Sequence, residues 1–420
     1  MPIDQRPPRV LIGNIYFSPA SFGGATIVAE NMARELKFRH GWDVVVVAKI
    51  RDPSIPEYGI RRYVTHGVDV IGVNVPDQNP NSVLSWHNEN YNLAFSKILE
   101  AVQPDLVHLH CIQNMGATSL FEVEKRSIPL VVTVHDCWWL CERQFMINHA
   151  GRYCHQTKID QNVCRYCVID LNATKQRTKV VKSALASADL LLFPSQFHRD
   201  LHLLNGFDPE RCAVNKNGVK PPQKNFRVRE SEEGRLTFGF VGGPGPVKGS
   251  SLIKAAFNEI DRTDYELLVV DAAGNIGESW RHDPIWKMSG KVEFVPAYTQ
   301  ESIDDFFSRI DVLLFPSQWK ESFGLTVREA MIRGVWVIAT DAGGLSEDCI
   351  DGENATVIPM DGNPRYLRDA IENIFRNGLP SNRPNSHISL VADQGDDLNR
   401  HLRSVVQRKR ERSVQQKQYA

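Results

Sequence analysis

The chain alternates short apolar runs rich in β-branched residues with longer stretches of helical periodicity. The first helical stretch is Ala25–Leu36, whose apolar residues recur at helical spacing. Runs such as DVVVVA are apolar on both faces, which is typical of parallel strands covered by helices on both sides. The pattern predicts a doubly wound α/β unit. Its candidate strands are Val10–Ile12, Asp43–Ala48, Leu106–His110, Leu130–Val134 and Leu190–Phe193.

The same alternation restarts after a segment rich in proline, glycine and charge. That segment, NKNGVKPPQKNFRVRESEEG, is typical of an interdomain linker. The apolar runs LTFGFV, ELLVVD, VEFVP, DVLLFP and VWVIAT follow it. We therefore predict an α/β protein with two Rossmann-like domains that face each other across a cleft, with ligands at the carboxyl ends of the strands.

The domain boundaries follow from this restart. We expect an N-terminal domain of residues 1–216, with a cysteine-rich insertion at about 137–170, and a C-terminal domain of residues 217–385. Residues 386–420 lose clear periodicity and end in a basic segment. Both a helix and a disordered tail remain open for that segment.

Composition narrows the classes of partner and the compartment. The 420 residues carry a net charge of -1, so nucleic acid is not indicated as a partner. No signal peptide is visible, and no stretch approaches the ~20 apolar residues that cross a bilayer, so a cytoplasmic protein is expected. Its eight cysteines are then thiols or metal ligands rather than disulfides.

One stretch of the second domain, FPSQWKESFGLTVREAMIRG, concentrates groups suited to a nucleotide. A strand is followed by a loop with Glu321, and Gly324 then opens a helix that contains Glu329. A glycine at a helix start exposes backbone N–H groups that suit a phosphate. The carboxylates can accept hydrogen bonds from ribose or sugar hydroxyls. The alternative is that Glu329 has no ligand and only stabilises the first turn of the helix through its interaction with the helix dipole.

Two further loops follow strands of the same predicted sheet. GFVGGPGPVKGS holds glycines for close backbone approach and Lys248 as a counter-charge for phosphate. It is not a Walker loop, because Lys248 is followed by Gly249, and it holds no G-x-G-x-x-G dinucleotide fingerprint. The third loop is DAGGLSED, which begins at Asp341. All three loops follow strands of one predicted sheet. Together they predict a phosphate-binding site at the carboxyl edge of that sheet.

Over nearly its whole length the chain resembles glycosyltransferase family 4, of the two-Rossmann (GT-B) architecture. The resemblance implies retention of anomeric configuration without a required metal. It implies that Glu321 is a catalytic residue facing the donor sugar, that Glu329 binds the ribose and that Lys248 binds donor phosphate. The remaining donor-binding positions that it implies are Gly23, Gly24, Ser322, Phe323, Gly324, Leu325 and Thr326. Family members usually carry an arginine where this chain has Gly243, so one cationic phosphate ligand is missing or supplied elsewhere.

In the first domain, the strand LVVTV ends at His135, and the family resemblance implies a catalytic role for that histidine beside the transferred sugar. The alternative is a buried structural histidine. Asp136 is a weaker candidate for acceptor contact. His108 and His110 end the preceding strand, where they shape the acceptor side or simply pack.

Five cysteines lie within thirty-one residues of the first domain. Four of them predict a structural zinc site with four thiolate ligands, and the alternative is a loop of reduced thiols. The polar residues and Gly151 in this stretch favour a loop over a helix. The proposed ligands are Cys141, Cys154, Cys164 and Cys167.

The resemblance implies a retaining hexosyltransferase and suggests a role in polysaccharide biosynthesis. Its partners are a nucleotide-diphosphate-sugar donor and a saccharide or lipid-linked saccharide acceptor. The resemblance further implies contact with the inner face of the cytoplasmic membrane, through a helix that carries Lys175, Arg177, Lys179 and Lys182. The alternative is that these residues form a solvated helix face. The alternatives are another GT-B enzyme, such as an epimerase or a phosphorylase, and a catalytically silent relative that binds nucleotide sugar.

Overall fold

The computed structural model describes residues 6–21, 23–79, 82–229, 235–243, 245–271, 286, 288–381, 383 and 385–418. The chain divides into two compact units. The N-terminal unit comprises Met1–Met146, His155–Gly218 and Val391–Ala420. The C-terminal unit comprises Ile147–Cys154 and Val219–Leu390.

The N-terminal unit is built on an eight-stranded sheet of order β3-β4-β2-β1-β5-β6-β7-β8. All neighbours are parallel except β3 and β4. The central strands are buried on both faces, which explains their unbroken apolar sequences. The strands are β1 Arg9–Asn14, β2 Asp43–Lys49, β3 Ile60–Thr65, β4 Val68–Val73, β5 Leu106–Leu109, β6 Leu130–Thr133, β7 Leu190–Phe193 and β8 Cys212–Val214.

Helices cover this sheet and begin at residues that cap them. The side chains of Asn88, Asp170 and Ser195 accept backbone N–H bonds at the starts of α2, α5 and α6. A π-helical turn, Glu35–Arg39, extends α1. The helices are α1 Gly24–Arg34, α2 Glu89–Val102, α3 Ser119–Lys125, α4 Gln161–Cys164, α5 Leu171–Ala186 and α6 Gln196–Leu204.

The C-terminal unit holds a six-stranded, fully parallel sheet of order β11-β10-β9-β12-β13-β14. Alternate residues of one strand enter two different apolar layers: Leu314 packs with Phe238, whereas Leu313 packs with Val337. The strands are β9 Leu236–Phe240, β10 Tyr265–Asp271, β11 Lys291–Pro296, β12 Val312–Phe315, β13 Trp336–Thr340 and β14 Ala355–Ile358. The helices are α7 Ser250–Asn258, α8 Ile303–Phe307, α9 Leu325–Met331 and α10 Pro364–Asn377.

The last helix, α11 Val391–Gln418, belongs to the N-terminal unit. Its buried residues Leu398, Leu402, Val405 and Val406 recur at helical spacing, so this segment carries an apolar stripe although its overall sequence shows no clear periodicity. Polar contacts add to this packing: the indole Nε1 of Trp42 donates to Asn399 at 2.9 Å. The disordered alternative for this tail is therefore wrong over 391–418.

The predicted fold class is confirmed, and the predicted strands match the observed ones to within two residues at each end. The cysteine-rich stretch is not wholly a loop. It contains a 3₁₀ turn, Cys137–Trp139, and the short helix α4, each started by an aspartate that caps it. Among the described helices, none is long and apolar enough to cross a membrane.

Candidate active site

In the C-terminal unit, Glu321 lies in the loop that follows β12 and is 7% exposed. Its Oε1 atom accepts hydrogen bonds from Lys248 Nζ at 2.8 Å and from Ser317 Oγ at 2.8 Å. The ammonium of Lys248 also lies 5.0 Å from the ring centre of Trp319. The predicted phosphate lysine and the predicted sugar-facing carboxylate therefore meet at the end of one sheet.

Backbone hydrogen bonds join the three predicted loops. The amide of Gln318 donates to Val247 O at 2.7 Å, which ties the β12 loop to the loop after β9. The amide of Glu321 donates to Ala342 O at 2.9 Å, and the amide of Gly344 donates back to Glu321 O at 3.0 Å. The loops that follow β9, β12 and β13 thus form one connected edge.

Two glycines permit this close approach. Gly249 has a φ of +85°, and a Cβ atom there would collide with the carbonyl oxygen of Pro316. Gly324, just before α9, has a φ of +89°, and a Cβ atom would collide with Leu345. Any other residue would be strained by the left-handed backbone, and its Cβ atom would collide with these neighbours. Glycine is therefore required at both positions.

Sequence reasoning missed Arg328, which is 1% exposed. Its Nε donates to Asp348 Oδ2 at 2.7 Å, and its terminal nitrogens donate to the carbonyl oxygens of Phe323, Gly344 and Leu345. One guanidinium therefore fixes both the start of α9 and the glycine loop after β13. The signal was the arginine directly before Glu329, with Asp348 at the end of the third loop.

Glu329 lies on α9 and is 5% exposed. Burial raises the pKa of its carboxyl group, and a hydrogen bond from Gln300 Nε2 at 2.9 Å partly opposes that shift. Burial and the nearby Glu329 carboxylate raise the pKa of Tyr298, whose hydroxyl interacts with the Thr326 side chain. A buried carboxylate with a single described neutral hydrogen-bond donor suits a ligand that brings hydroxyl groups.

The other predicted donor-binding residues surround these groups. Phe323 is buried, and its ring lies 4.0 Å from the Arg328 guanidinium carbon. Ser322, Gly324, Leu325 and Thr326 are partly exposed at the start of α9, which begins at Leu325 as predicted. Gly243 has a φ of +75° with no atom within 4 Å of a built Cβ, so this loop has room for a side chain but a backbone suited to glycine.

In the N-terminal unit, His135 follows β6 and is 9% exposed. Its Nε2 shares a hydrogen bond of 2.8 Å with His110 Nδ1, and the two rings stack. His108 Nε2 pairs with Thr133 Oγ1 at 2.8 Å. Burial lowers the pKa of His135 to about 4 and that of His108 to about 3, so these rings are neutral near pH 7.

Two more histidines, missed by sequence reasoning, extend this cluster from α6. His198 Nε2 lies 3.2 Å from the carbonyl oxygen of Asp136, and His202 Nδ1 lies 2.8 Å from His198 O. Burial lowers the pKa of His198 well below its ordinary value and that of His202 to about 4. Their spacing of four residues on one helix face was the available signal.

The remaining predictions for this unit fall on local structure. Asp136 accepts from Trp138 N at 2.8 Å, Gln144 Nε2 at 2.7 Å and Gln113 Nε2 at 3.1 Å, so its carboxylate caps the 3₁₀ turn. Gly23 has a φ of +79° and precedes α1, which begins at Gly24. Phe22, in the same predicted loop, lies outside the described residues.

All eight cysteines lie in the described part of the chain, and none forms a disulfide. Cys141, Cys154, Cys164 and Cys167 are all partly exposed. Among the described residues, no group of three or more His, Cys, Asp or Glu side chains is placed to hold a metal ion. The zinc site stays a prediction from cysteine spacing.

Two parallel α/β sheets, with connected glycine, lysine and glutamate loops on the second, define the GT-B class of glycosyltransferase. Residues 23–218 match the model for a glycosyl transferase 4-like domain, and residues 222–387 match that for glycosyl transferases group 1. The chain belongs to the GT-B glycosyltransferase family that pairs these two domains, which confirms the family that the sequence motifs indicated.

Similar proteins agree with this assignment. An uncharacterized glycosyltransferase of Methanocaldococcus jannaschii is 25% identical over 370 residues, covering 88% of this chain and 89% of that protein. Sucrose-phosphate synthase of Thermosynechococcus elongatus has a similar fold, with a TM-score of 0.62, 18% identity, and coverage of 98% and 100%. Anabaena HepE, solved in complex with UDP and glucose, has a TM-score of 0.56, 16% identity, and coverage of 97% and 100%.

Proposed function

We propose that this glycosyltransferase is a retaining enzyme that transfers a hexose from a nucleotide-diphosphate-sugar donor to a saccharide or lipid-linked saccharide. The acceptor class follows from the family resemblance, which also suggests polysaccharide biosynthesis. The single observation that carries the donor class is the joining of Lys248 and Glu321 at a glycine-rich strand edge in the C-terminal unit. A cation, exposed amides and a carboxylate together suit a diphosphate attached to a sugar.

Leaving-group stabilisation is the main chemical demand on the donor side. Cleavage of the bond between the anomeric carbon and the phosphate leaves negative charge on the departing nucleoside diphosphate. We infer that Lys248 and the amides at the start of α9 stabilise that charge, because preorganised donors lower the barrier without moving during the reaction. The solved complex of HepE with UDP and glucose supports this choice of donor chemistry.

The two glutamates take different roles in this proposal. Glu321 Oε1 accepts from Lys248 and Ser317, so we infer that Oε2 accepts a hydrogen bond from a donor sugar hydroxyl. Glu329 is buried beside Gln300, and we infer that it accepts the ribose hydroxyls. A ribose would supply the polar partners that a buried carboxylate requires.

We infer that His135 acts as a neutral hydrogen-bonding group at the transferred sugar. Its Nε2 is engaged with His110 Nδ1, so Nδ1 is the nitrogen that would face a substrate. A neutral ring beside an oxocarbenium-like transition state avoids repulsion between two positive charges. Asp136 has a minor role in this proposal. Its carboxylate mainly caps the following turn, and contact with the acceptor is an additional role.

Transfer assays with nuclear magnetic resonance of the product anomer test the proposal. Donor turnover that depends on a saccharide acceptor and retains the donor's anomeric configuration would support it. An inverted product would overturn the retaining assignment. Donor interconversion without an acceptor would indicate an epimerase, phosphate-dependent cleavage a phosphorylase, and donor binding without turnover a silent relative.

Metal requirements are tested separately. We propose that transfer needs no metal, so activity should persist in excess EDTA.

The predicted structural zinc takes part in no step of the reaction. Elemental analysis of the purified protein should find stoichiometric zinc that is lost in Cys164→Ser, and protein without zinc would overturn that prediction.

A further inference from the structure

A surface cavity of about 910 Å³ is lined entirely by residues of the N-terminal unit, and no histidine is among them. One wall is the face of α5, and another is formed by residues 158–162 and 204–206. Ligand pockets in proteins commonly measure roughly 300–1,000 Å³. The cavity is therefore large enough for a small ligand, and the proposed transfer chemistry does not use it.

Four lysines line this cavity: Lys158, Lys175, Lys179 and Lys182. The last three lie at i, i+4 and i+7 on α5, so they share one face of the helix. Lys158 enters from the opposite segment. The ammonium of Lys182 donates a 2.6 Å hydrogen bond to the carbonyl oxygen of Asn205, which also lines the cavity.

Very little negative charge opposes these lysines. Asp160 is the one acidic residue in the lining, and its Oδ1 accepts from the backbone amide of Asn162 at 2.9 Å. Among the described ion pairs, none involves any of the four lysines. Like charges at i, i+3 and i, i+4 repel and destabilise an isolated helix. An anion in the cavity would remove that repulsion.

The rest of the lining can accommodate a ligand that is only partly charged. Trp139, Leu140 and Ile159 supply apolar surface, and Thr178, Gln161 and Asn162 supply neutral polar groups. A concave apolar wall beside several ammonium groups focuses their electric field more strongly than a convex helix face does. This combination distinguishes the cavity from an ordinary solvated helix.

We propose that this cavity binds a phosphate- or diphosphate-bearing ligand, with Lys158, Lys175, Lys179 and Lys182 as its counter-charges. Lysine binds phosphate as a point charge, and the four ammonium groups outweigh the single carboxylate of Asp160 in the lining. The same chemistry is offered by a free phosphorylated compound and by a phospholipid headgroup. The site is independent of the proposed donor site, which lies in the C-terminal unit.

Isothermal titration of the full chain with inorganic pyrophosphate, at fixed ionic strength, tests the proposal. Lys248→Met serves as the background so that the donor loops contribute as little as possible. In that background, Lys175→Gln with Lys179→Gln should weaken pyrophosphate binding by about tenfold, from the loss of two exposed charge contacts. The matched control, Lys97→Gln with Lys224→Gln, removes the same charge from exposed lysines outside the cavity and should leave the affinity unchanged.

Vesicle sedimentation distinguishes the two sources of phosphate. Binding to phosphatidylglycerol vesicles but not to phosphatidylcholine vesicles, lost in the cavity variant and displaced by pyrophosphate, would assign a lipid headgroup. Pyrophosphate binding without vesicle binding would assign a free phosphorylated ligand. The proposal would be overturned if the cavity variant bound pyrophosphate as tightly as the control variant did, and bound vesicles as tightly as the control variant did.

Discussion

The two units share a parallel, doubly wound architecture but present opposite chemistry at the carboxyl ends of their strands. In the C-terminal unit, charged groups meet there in pairs: Lys248 with Glu321, and Arg328 with Asp348. In the N-terminal unit, the corresponding strands end in buried histidines that are neutral near pH 7, such as His135. The comparison teaches that one fold can build either a site that compensates charge or one that only donates and accepts hydrogen bonds.

The charged edge of the C-terminal unit should depend most strongly on Arg328. Arg328→Met removes one member of a fully buried ion pair and leaves Asp348 without its partner, which should cost about 3–5 kcal/mol in the free energy of unfolding. Urea denaturation measures this change. The control is Arg365→Met, whose exposed ion pair with Asp369 should contribute little. Similar losses in the two variants would contradict the role given to Arg328.

Lys248 should have the next largest effect, on transfer rather than on folding. Lys248→Met removes a preorganised cation from the proposed leaving-group site, so kcat should fall by about 10²–10³-fold. Steady-state kinetics with the donor measures the loss, and Lys224→Met, at an exposed position, is the matched control. A rise in KM with unchanged kcat would show that Lys248 binds the ground state and the transition state equally and does not stabilise the leaving group selectively.

The neutral histidine cluster should make the N-terminal unit sensitive to acid. Burial lowers the pKa of His202 from 6.5 in the unfolded chain to about 4 in the folded protein. Between these two values the unfolded chain therefore binds more protons than the folded protein does. Stability is therefore present above pH 6.5 and is lost between about pH 6.5 and 4, at about 1.4 kcal/mol per pH unit for each such histidine.

His202→Asn tests this linkage because asparagine keeps a donor for His198 O but does not titrate. Urea unfolding over this pH range should give a shallower slope for this variant than for the wild type. His66→Asn is the control, since His66 is exposed and its φ of 48° suits asparagine. An unchanged slope in His202→Asn would show that burial does not lower the pKa of His202.

Gly243 should give the smallest effect. Gly243→Ala and Gly243→Arg both place a side chain at a φ of +75°, so their backbone strain is matched. The arginine variant should bind the donor more tightly than the alanine variant by about 0.2–1 kcal/mol, the range for an exposed charge contact. Equal donor affinities, measured by titration calorimetry, would place this position outside the phosphate site.

The two-domain fold could be predicted from the sequence because all neighbouring strands except β3 and β4 are parallel, and the central strands of both sheets are buried on both faces. Strands such as Asp43–Lys49 are then unbroken apolar runs that periodicity detects. The three loops of the C-terminal unit were also predicted, because glycines such as Gly249 and Gly324 are required by the backbone itself. Residues that the local backbone conformation requires, such as these glycines, can be recognised in a single sequence.

Long-range partnerships were not visible. The guanidinium of Arg328 bonds atoms up to twenty residues away, and His110 meets His135 across neighbouring strands. Neither pairing follows from local spacing. For α11 the sequence left a helix and a disordered tail both open, because the narrow apolar stripe around Leu398 and Leu402 is diluted by charged residues and is stabilised by packing on the N-terminal unit.

The central claim is that the C-terminal unit binds a nucleotide-sugar donor through its glycine, lysine and glutamate loops. The most direct test is a thermal-shift screen of the wild type and Glu329→Ala with UDP, GDP, ADP and their sugar conjugates. We predict a rise in Tm with one nucleotide family that disappears in Glu329→Ala. No shift with any nucleotide, on protein shown to be folded by circular dichroism, would contradict the claim.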